Sequence, residues 1–302
     1  MPSDDLSALL TSEKAFFADA FAAKDCLTDE QKALFRQETI TQRRQRLSQE
    51  LYAKMDGRVA YGPFTGLELD PMPGWGTSDL FSMLLGCYEL EIVDALHDPK
   101  FLGRSHFVDI GAADGYYAVG CLRNGRFKTA DCFELTEVGR ETIARNAERN
   151  GNAEQIRIFG VADTTLPSQL ETIDWSDTVV LCDIEGGELD LLDEAFLSAL
   201  KGAMILIEFH NWVENFWPRY SALLERASRD YDLRLLERSA FPNYDLPELR
   251  GMPDDNRMLI LSVGRPNVMR FLQLVSSSQT PCAEGQHTSE RSLQNPYRRR
   301  EP

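Results

Sequence analysis

Two short apolar runs in the second half of the chain end in residues that can move protons. Asp183 and Glu185 follow one run, and Glu208 and His210 close the next. Strand alternation places Glu208 and His210 on the same side of their strand. Carboxylates and imidazole at neighbouring strand ends act as general acids or bases, orient an acceptor or bind a divalent cation. The sequence therefore predicts a catalytic cluster of Asp183, Glu185, Glu208 and His210, and it leaves the metal question open.

The most informative single segment is Phe107–Gly120. Its apolar start ends in the acid Asp109, turns through small residues from Gly111 to Gly115 and opens into a helical pattern. Small residues at a strand-to-helix turn let a ligand approach the backbone at a helix N-terminus, although such turns also occur for steric reasons alone. The acid before the first glycine favours a cationic or amine-bearing ligand over a bare pyrophosphate.

Two further strand ends carry candidate cofactor contacts. Glu134 follows Asp109 by 25 residues and closes the second apolar run. An acid in this place can accept hydrogen bonds from ribose hydroxyls, while the alternative is a surface acid that favours the next helix dipole. Ala162 and Asp163 follow the third run, where they could flank an adenine ring. Glu188 and Asp190 are interpreted as ordinary acids of a helix N-terminus.

From residue 107 onward, apolar runs alternate with amphipathic helical stretches, a pattern typical of βαβ units and a parallel sheet. The connection before the last run contains no convincing helix, so the last strand is expected to be antiparallel. The predicted fold is therefore α/β, with a Rossmann-like, seven-stranded, mostly parallel sheet and an N-terminal helical extension. The predicted strands are Phe107–Ile110, Ala130–Glu134, Gln155–Phe159, Val179–Asp183, Ala203–Phe209, Leu233–Glu237 and Met258–Val263.

The pattern divides the chain into three parts. Residues 1–76 are predicted as helices and a linker, 77–265 as the ligand-binding domain, and 266–302 as a disordered tail that is polar and without periodicity. One further helix is expected over Ser78–Leu96. The N-terminal helices could cap the site, bind a partner or form a homodimer contact.

Composition narrows the classes of partner. The 302 residues carry a formal net charge of -16, with 43% hydrophobic and 26% charged residues. A strongly acidic surface repels phosphate backbones, so no nucleic-acid partner is expected. No window approaches a membrane span, and the N-terminus lacks a secretory pattern. Six scattered cysteines without a Cys-x-x-Cys pair favour reduced thiols, so the predicted location is cytoplasmic.

Together these residues resemble a class I S-adenosylmethionine-dependent methyltransferase, and more narrowly the FkbM family. Val108–Gly115 resembles the methionine-binding first motif, although Ala113 stands where many methyltransferases have a glycine. Phe133-Glu134 resembles the ribose-binding acid. Cys182–Glu188 is similar to the family's Asp-Val-Glu-Gly-x-Glu signature. The ordered set of motifs is more specific than any one of them. Two further matches are Leu206–His210 and Asn256–Leu259.

The resemblance implies S-adenosylmethionine as cofactor. Asp109 would bind its amino group directly or through water, and backbone N–H groups of the Gly111, Ala113 and Gly115 turn would position its methionyl part. Glu134 would hold the ribose, and Ala162 and Asp183 would also contact the cofactor. Family members methylate hydroxyls on polyketides and sugars, so the expected activity is O-methylation of a glycan or a small-molecule secondary metabolite. Asp183 or His210 would be the base, with Glu185 and Glu208 orienting it, or the cluster would bind a divalent cation.

Two other functions fit parts of the pattern. A nicotinamide-dependent oxidoreductase also has a glycine turn and a later acid. The spacing Gly111-x-x-x-Gly115 departs from Gly-x-Gly-x-x-Gly, however, and Asp109 would be unexplained. A non-catalytic scaffold could keep the methyltransferase fold and bind a partner through its N-terminal helices.

Overall fold

The computed structural model describes residues 38–72, 76–237, 246–262 and 270–277, and near the start of the chain 7–8, 10–15 and 18. Residues 10–15 are helical, in agreement with the predicted N-terminal helices. Most of the segment predicted as a tail lies outside the described residues. Within the described ranges, no helix has the length and apolar character needed to cross a bilayer.

Helices and strands alternate along the described chain. From residue 40 onward, the α-helices are α1 Ile40–Met55, α2 Leu80–Leu84, α3 Leu90–Leu96, α4 Tyr116–Arg123, α5 Glu137–Arg149, α6 Leu166–Gln169, α7 Glu188–Leu191, α8 Glu194–Ala199, α9 Phe216–Ala227 and α10 Asp254–Leu261. The strands are β1 His106–Ile110, β2 Thr129–Phe133, β3 Ile156–Phe159, β4 Thr178–Cys182, β5 Met204–Phe209, β6 Tyr231–Leu236 and β7 Arg270–Ser276. Short 3₁₀ helices cover Pro99–Phe101, Ala153–Gln155, Trp175–Asp177 and Pro247–Leu249.

The strands form one seven-stranded sheet in the order β3-β2-β1-β4-β5-β7-β6. Strands β1 to β5 pair in parallel, whereas β7 lies antiparallel to both β5 and β6. The predicted Rossmann-like sheet with an antiparallel last strand is confirmed. The order runs outward in both directions from β1 and β4, so a crevice opens beyond their carboxyl ends.

Two predicted elements are wrong in position. Met258–Val263 was expected to be the last strand, but most of it belongs to α10, and the last strand is β7 at Arg270–Ser276. The sheet therefore continues past the predicted domain end at residue 265. The predicted helix Ser78–Leu96 is two short helices, α2 and α3, because the chain turns through Gly86 and Glu89 with positive φ angles.

The sheet is buried on both faces, as parallel sheets usually are. Phe107, Leu181 and Leu206 face a core shared with α1 to α5, and the alternate residues Val108 and Ile205 face a second core shared with α7 to α9. The chain thus has three layers. In the same alternation, Asp109, Asp183 and Glu208 follow the face that carries the N-terminal helices.

Candidate functional site

A cavity of about 650 Å³ lies beyond the carboxyl ends of the central strands. Its size falls in the range of small-molecule and cofactor sites. The loop after β1 lines one wall, the ends of β2 and β4 line others, and α1 and the chain before α2 close the top. The lining residues are Arg44, Asp79, Met83, Tyr88, Gly111, Ala112, Ala113, Asp114, Tyr116, Tyr117, Phe133, Glu134, Leu135, Thr136, Gly139, Val161, Ala162, Asp183, Ile184 and Glu185.

The loop after β1 is shaped by three residues with positive φ, namely Gly111 at 89°, Ala113 at 51° and Gly115 at 79°. Gly111 and Ala113 line the cavity, whereas Gly115 caps α4. The N–H groups of Gly111 and Ala112 donate to the Phe133 carbonyl, and that of Gly115 donates to the Ala112 carbonyl. These three donors therefore have acceptors inside the protein, and the contact of this turn with a methionyl group stays a prediction. The backbone of this loop therefore forms one wall of the cavity and sets its shape there.

Asp109 also has a partner within the protein, and its contact with the cofactor stays a prediction. Its carboxyl group is buried, accepts a hydrogen bond from the Ala118 N–H and does not line the cavity. Burial raises the pKa of Asp109 well above its ordinary value, and the charges of Asp183 and Asp114 raise it further. Asp109 thus caps a free N–H in the first turn of α4, whose N-cap Gly115 has no side chain to do so.

Glu134 and Ala162 lie where the sequence predicts, on the cavity wall. Glu134 Oε2 accepts from the Ala113 N–H at 3.1 Å, and Oε1 accepts from the N–H and hydroxyl of Thr136 at 2.8 and 2.7 Å. These bonds fix the carboxylate and leave acceptor capacity on it. The arrangement connects the loop after β1 to the end of β2.

The loop after β1 supplies one acid that the sequence did not single out. Asp114 is 3% exposed and lines the cavity. Burial raises its pKa to about 6, the N–H of Tyr116 lowers it in part, and the carboxylates of Asp70 and Glu134 raise it further. The ionised form is therefore less favourable in the folded protein than in the unfolded chain.

We expect the Asp114→Asn variant to gain stability relative to the wild type as the pH rises. The wild type is most stable with Asp114 protonated, and it loses stability between the ordinary pKa of 3.8 and about 6. A shift of this size corresponds to about 3 kcal/mol at neutral pH. Urea unfolding of both proteins at about pH 4 and pH 8 measures how the difference in their free energies of unfolding changes with pH.

The control for this pair is Asp163→Asn. Asp163 is exposed and accepts hydrogen bonds from Thr165, which lower its pKa. Its replacement should therefore act in the opposite direction, with lower stability at pH 8. A difference for Asp114→Asn that does not depend on pH would contradict the assignment of a buried, reluctantly ionised carboxyl.

Asp183 and Glu208 form a hydrogen-bonded pair of acids at the ends of β4 and β5. Asp183 lines the cavity, while Glu208 is 1% exposed. Burial raises the pKa of Glu208 far above its ordinary value, and the charge and hydrogen bond of Asp183 raise it further. Glu208 therefore remains protonated and donates a hydrogen bond to Asp183. Asp183 in turn presents a carboxylate to the cavity.

His210 lies against Glu188, which is in the first turn of α7, as the sequence predicts, and has a second role there. Glu188 is fully buried, and its Oε1 accepts from the N–H groups of Ile184 and Gly186 and lies 2.7 Å from His210 Nδ1. An oxygen that already accepts two backbone hydrogen bonds requires Nδ1 to be the donor. Glu188 is thus the buried partner of the imidazole, whereas Asp190 is exposed and pairs with Arg219.

The second nitrogen of His210 faces two other carboxylates. Nε2 lies 3.5 Å from Asp183 Oδ1 and 3.6 Å from Glu185 Oε2. Burial lowers the pKa of His210, but the hydrogen bond to Glu188 and the charges of Asp183 and Glu185 outweigh it and raise the pKa above its ordinary value. The structure therefore brings together all four residues of the predicted cluster. Ligand atoms of Asp183, Glu188 and His210 lie within 4.8 Å of one another.

The N-terminal helix α1 forms part of the cavity. Arg44 on α1 makes an ion pair with Asp79, and both side chains line the cavity. Packing against α2 fixes the helix, since Ser48 Oγ accepts from the Phe81 N–H at 3.2 Å. The described part of the extension thus caps the site, one of the roles left open by the sequence.

A tyrosine wall completes the cavity beside α1. Tyr117 donates to the buried carboxyl of Glu89, which lies in the turn between α2 and α3. Burial raises the pKa of Tyr117 well above its ordinary value, and the nearby phenol of Tyr88 and carboxyl of Glu208 act in the same direction. Tyr117 therefore remains a neutral hydroxyl between the cap and the predicted cluster.

Comparison with known proteins returns distant structural matches only. No protein-family model matches the chain, and no curated protein matches it. The METTL16 methyltransferase domain has a TM-score of 0.48 at 15% identity, over 79% of this chain and 80% of that one. A precorrin-6y C5,15-methyltransferase from Geobacter metallireducens has a TM-score of 0.41 at 12% identity, over 63% and 88%.

A third match is a Streptococcus pneumoniae protein assigned as a tRNA (m1A22) methyltransferase, solved with S-adenosyl-L-methionine. Its TM-score is 0.39 at 15% identity, over 62% of this chain and 72% of that one. Similarity at this level does not assign a function to the present chain.

Proposed function

We propose that this protein is an S-adenosylmethionine-dependent methyltransferase that methylates a hydroxyl oxygen of a glycan or secondary metabolite. The observation that supports the proposal is the position of one cavity at the switch point of the sheet. The fixed carboxylate of Glu134 and the carboxylate of Asp183 both line this cavity, and the His210–Glu188 pair lies behind Asp183, with His210 Nε2 3.5 Å from Asp183 Oδ1. A cofactor and an acceptor can therefore meet between a ribose-type acid and a proton acceptor.

The cavity fits S-adenosylmethionine in size and in chemistry. About 650 Å³ is enough for a nucleoside with an amino-acid arm and part of an acceptor. Glu134 would hold the ribose hydroxyls, because its carboxylate is fixed at the wall with acceptor capacity to spare. Ala162 would lie beside the adenine ring, and the carboxylates of Asp114 and Asp183 would face the cationic end of the cofactor.

When bound, S-adenosylmethionine supplies a methyl group that is activated by its sulfonium charge. The protein must align the acceptor oxygen and remove its proton. Alignment in a closed cavity contributes about 7–11 kcal/mol, and a general base adds about 10²–10⁴-fold. Asp183 presents a carboxylate to the cavity, and the buried His210 has Nε2 3.5 Å from Asp183 Oδ1, while Glu188 holds the hydrogen on Nδ1. Either group can accept the hydroxyl proton.

The acceptor class follows from the FkbM-like motifs and from charge. The motif Asp183-Ile-Glu-Gly-Gly-Glu188 and the strand end at His210 support a member of that family, whose substrates are hydroxyls on sugars and polyketides. The net charge of -16 disfavours nucleic acids as acceptors. A neutral, hydroxyl-rich acceptor is compatible with a cavity that has Tyr88, Tyr116 and Tyr117 along one side.

Isothermal titration with S-adenosylhomocysteine tests the cofactor assignment. We expect binding by the wild type and a loss of about 10–100-fold in Glu134→Gln, because a hydrogen bond to a charged group is worth about 1.5–3 kcal/mol. The matched control is Glu137→Gln, which removes an exposed carboxylate three residues later and should bind like the wild type. NAD⁺ should not bind. Binding of NAD⁺ in place of S-adenosylhomocysteine would support the oxidoreductase.

A methyl-transfer assay over an acceptor panel tests the reaction class. Incubation with radiolabelled S-adenosylmethionine and sugars, polyketides, amines and activated carbons should label hydroxyl compounds. Labelling of nitrogen or carbon acceptors alone would exclude O-methylation while leaving the cofactor assignment intact. Tight cofactor binding without transfer to any acceptor would favour the scaffold.

A further inference from the structure

The imidazole of His210 is oriented like a metal ligand. Its Nδ1 lies 2.7 Å from the carboxylate of Glu188, and the histidine side chain is 1% exposed. Histidine ligands of metals commonly donate one ring N–H to a carboxylate, which fixes the tautomer and orients the other nitrogen. Here the other nitrogen, Nε2, points toward Asp183 and Glu185.

The distances around Nε2 fit ligand atoms of a shared ion better than hydrogen bonds. Asp183 Oδ1 lies 3.5 Å and Glu185 Oε2 3.6 Å from Nε2, whereas N–H···O bonds are near 2.9 Å. Tetrahedral zinc with bonds of about 2.0–2.2 Å places neighbouring ligand atoms about 3.4 Å apart. Each of the two distances from Nε2 is therefore that of neighbouring ligand atoms on one such ion.

Two buried carboxylate oxygens on the acids that contact His210 have no hydrogen-bond partner among the described residues. These atoms are Asp183 Oδ1 and Glu188 Oε2, and the Glu188 side chain is fully buried. Buried polar atoms are usually paired, so the orphaned Asp183 Oδ1, 3.5 Å from His210 Nε2, is the atom that a bound cation would satisfy. A bound cation would also offset the repulsion among the neighbouring carboxylates.

We propose that His210 Nε2, Asp183 and Glu185 bind a divalent transition-metal cation of the zinc type, with Glu188 as the positioning residue behind the histidine. A mixed imidazole and carboxylate set with three protein ligands is typical of catalytic zinc sites, which keep a fourth position open. Asp183 and Glu185 line the cavity, so that position would face it. The ion would then favour deprotonation of an acceptor hydroxyl by lowering its pKa. Binding of the ion does not depend on the proposed methyl transfer.

The test is direct binding of Zn²⁺ to chelator-treated protein, measured by competition with a chromophoric chelator. The wild type should bind one ion per chain. Glu185→Gln should weaken binding by about tenfold or more, and Glu188→Gln by about 10–100-fold, the range found for residues behind a ligand. The matched control is Asp190→Asn, because the side chains of Glu185 and Asp190 are 80% and 81% exposed, and only Glu185 faces His210. This control should bind like the wild type.

Co²⁺ gives a second readout that folding alone does not move. Its visible absorption in the wild type should have the intensity of a tetrahedral site, and His210→Gln should abolish it. The comparison variant His106→Gln alters another histidine–carboxylate pair, with Asp131, and should retain the spectrum. Titration of each protein with S-adenosylhomocysteine, run in parallel, reports the cofactor site separately.

Two results would overturn the proposal. One is the absence of stoichiometric Zn²⁺ binding by a wild type that binds S-adenosylhomocysteine. The other is equal Zn²⁺ affinity in the wild type and Glu185→Gln, a variant whose exposed side chain is not needed for folding. In both cases the methyltransferase proposal would stand, with His210 or Asp183 as the base.

Discussion

Replacing Gly111 with alanine is expected to destabilise the protein by about 2–5 kcal/mol and to remove cofactor binding. The φ angle of 89° costs an L-residue about 1–2 kcal/mol. An alanine Cβ would also lie 1.7 Å from the carbonyl oxygen of Asp183, a main-chain atom that cannot rotate away. Relief requires β1 and β4 to separate where the Asp183 N–H donates to the Ile110 carbonyl at 2.8 Å. Overpacking of this kind adds about 1–3 kcal/mol.

Gly125→Ala separates the steric effect from the conformational one. Gly125 has a similar φ of 76°, but an added Cβ would meet no atom within 4 Å. We expect this variant to lose only about 1–2 kcal/mol and to bind S-adenosylhomocysteine normally. Urea unfolding and titration of both variants give the comparison. Equal losses in the two variants would mean that the contact between the loop and β4 does not set the shape of the cavity.

The central strands could be predicted because they are buried on both faces. Phe107–Ile110 and the other parallel strands are short, nearly continuous apolar runs bounded by turn residues, and their alternation with helical stretches identifies them as strands of βαβ units. The carboxyl ends of parallel strands lie at one edge of the sheet. This geometry is why Asp183, Glu208 and His210 could be placed together from sequence, and the structure confirms that they meet.

The last strand could not be predicted in the same way. The run Met258–Leu261 is apolar and short, and such a run does not distinguish a strand from a buried helix. The signals that decide are before it, where Pro253 and the acids Asp254 and Asp255 begin a helix. The residues that form β7 have a similar composition, so only the pairing with β5 selects them.

Residues whose roles depend on distant chain segments were not predictable from local sequence. Glu188 is an ordinary first-turn acid by position, and it becomes buried because the loop before it turns back through positive φ angles at Glu185 and Gly186. The helix-capping contact of Asp109 with Ala118 is likewise not visible in a motif. Arg44 reaches the cavity from α1, which lies far before the glycine loop in the sequence, so no local pattern connects the two. Asp114 alone had a usable signal, its position between small residues of that loop.

Replacing Asp183 with asparagine is expected to lower kcat for methyl transfer by about 10²–10⁴-fold, because a general base contributes a factor of this size. Asparagine keeps the shape of the side chain and an oxygen that accepts from Glu208, so the fold should be retained. Affinity for S-adenosylhomocysteine should change far less than kcat, because the ribose contact at Glu134 is at another wall. Single-turnover kinetics with saturating cofactor measures the chemical step.

Asp190→Asn is the matched control, since Asp190 is an exposed acid seven residues further along the chain that pairs with Arg219 outside the cavity. It should have the kcat of the wild type. A loss in Asp183→Asn that appears only in cofactor affinity would assign Asp183 to binding and leave His210 as the proton acceptor. A loss in kcat with unchanged affinity assigns it to the chemistry, because a carboxylate that touches only the cofactor has no reason to affect the step after binding. Asp183 lines the cavity at the end of β4 and is hydrogen-bonded to the neutral Glu208 at the end of β5. From this position we expect the loss in kcat with unchanged affinity.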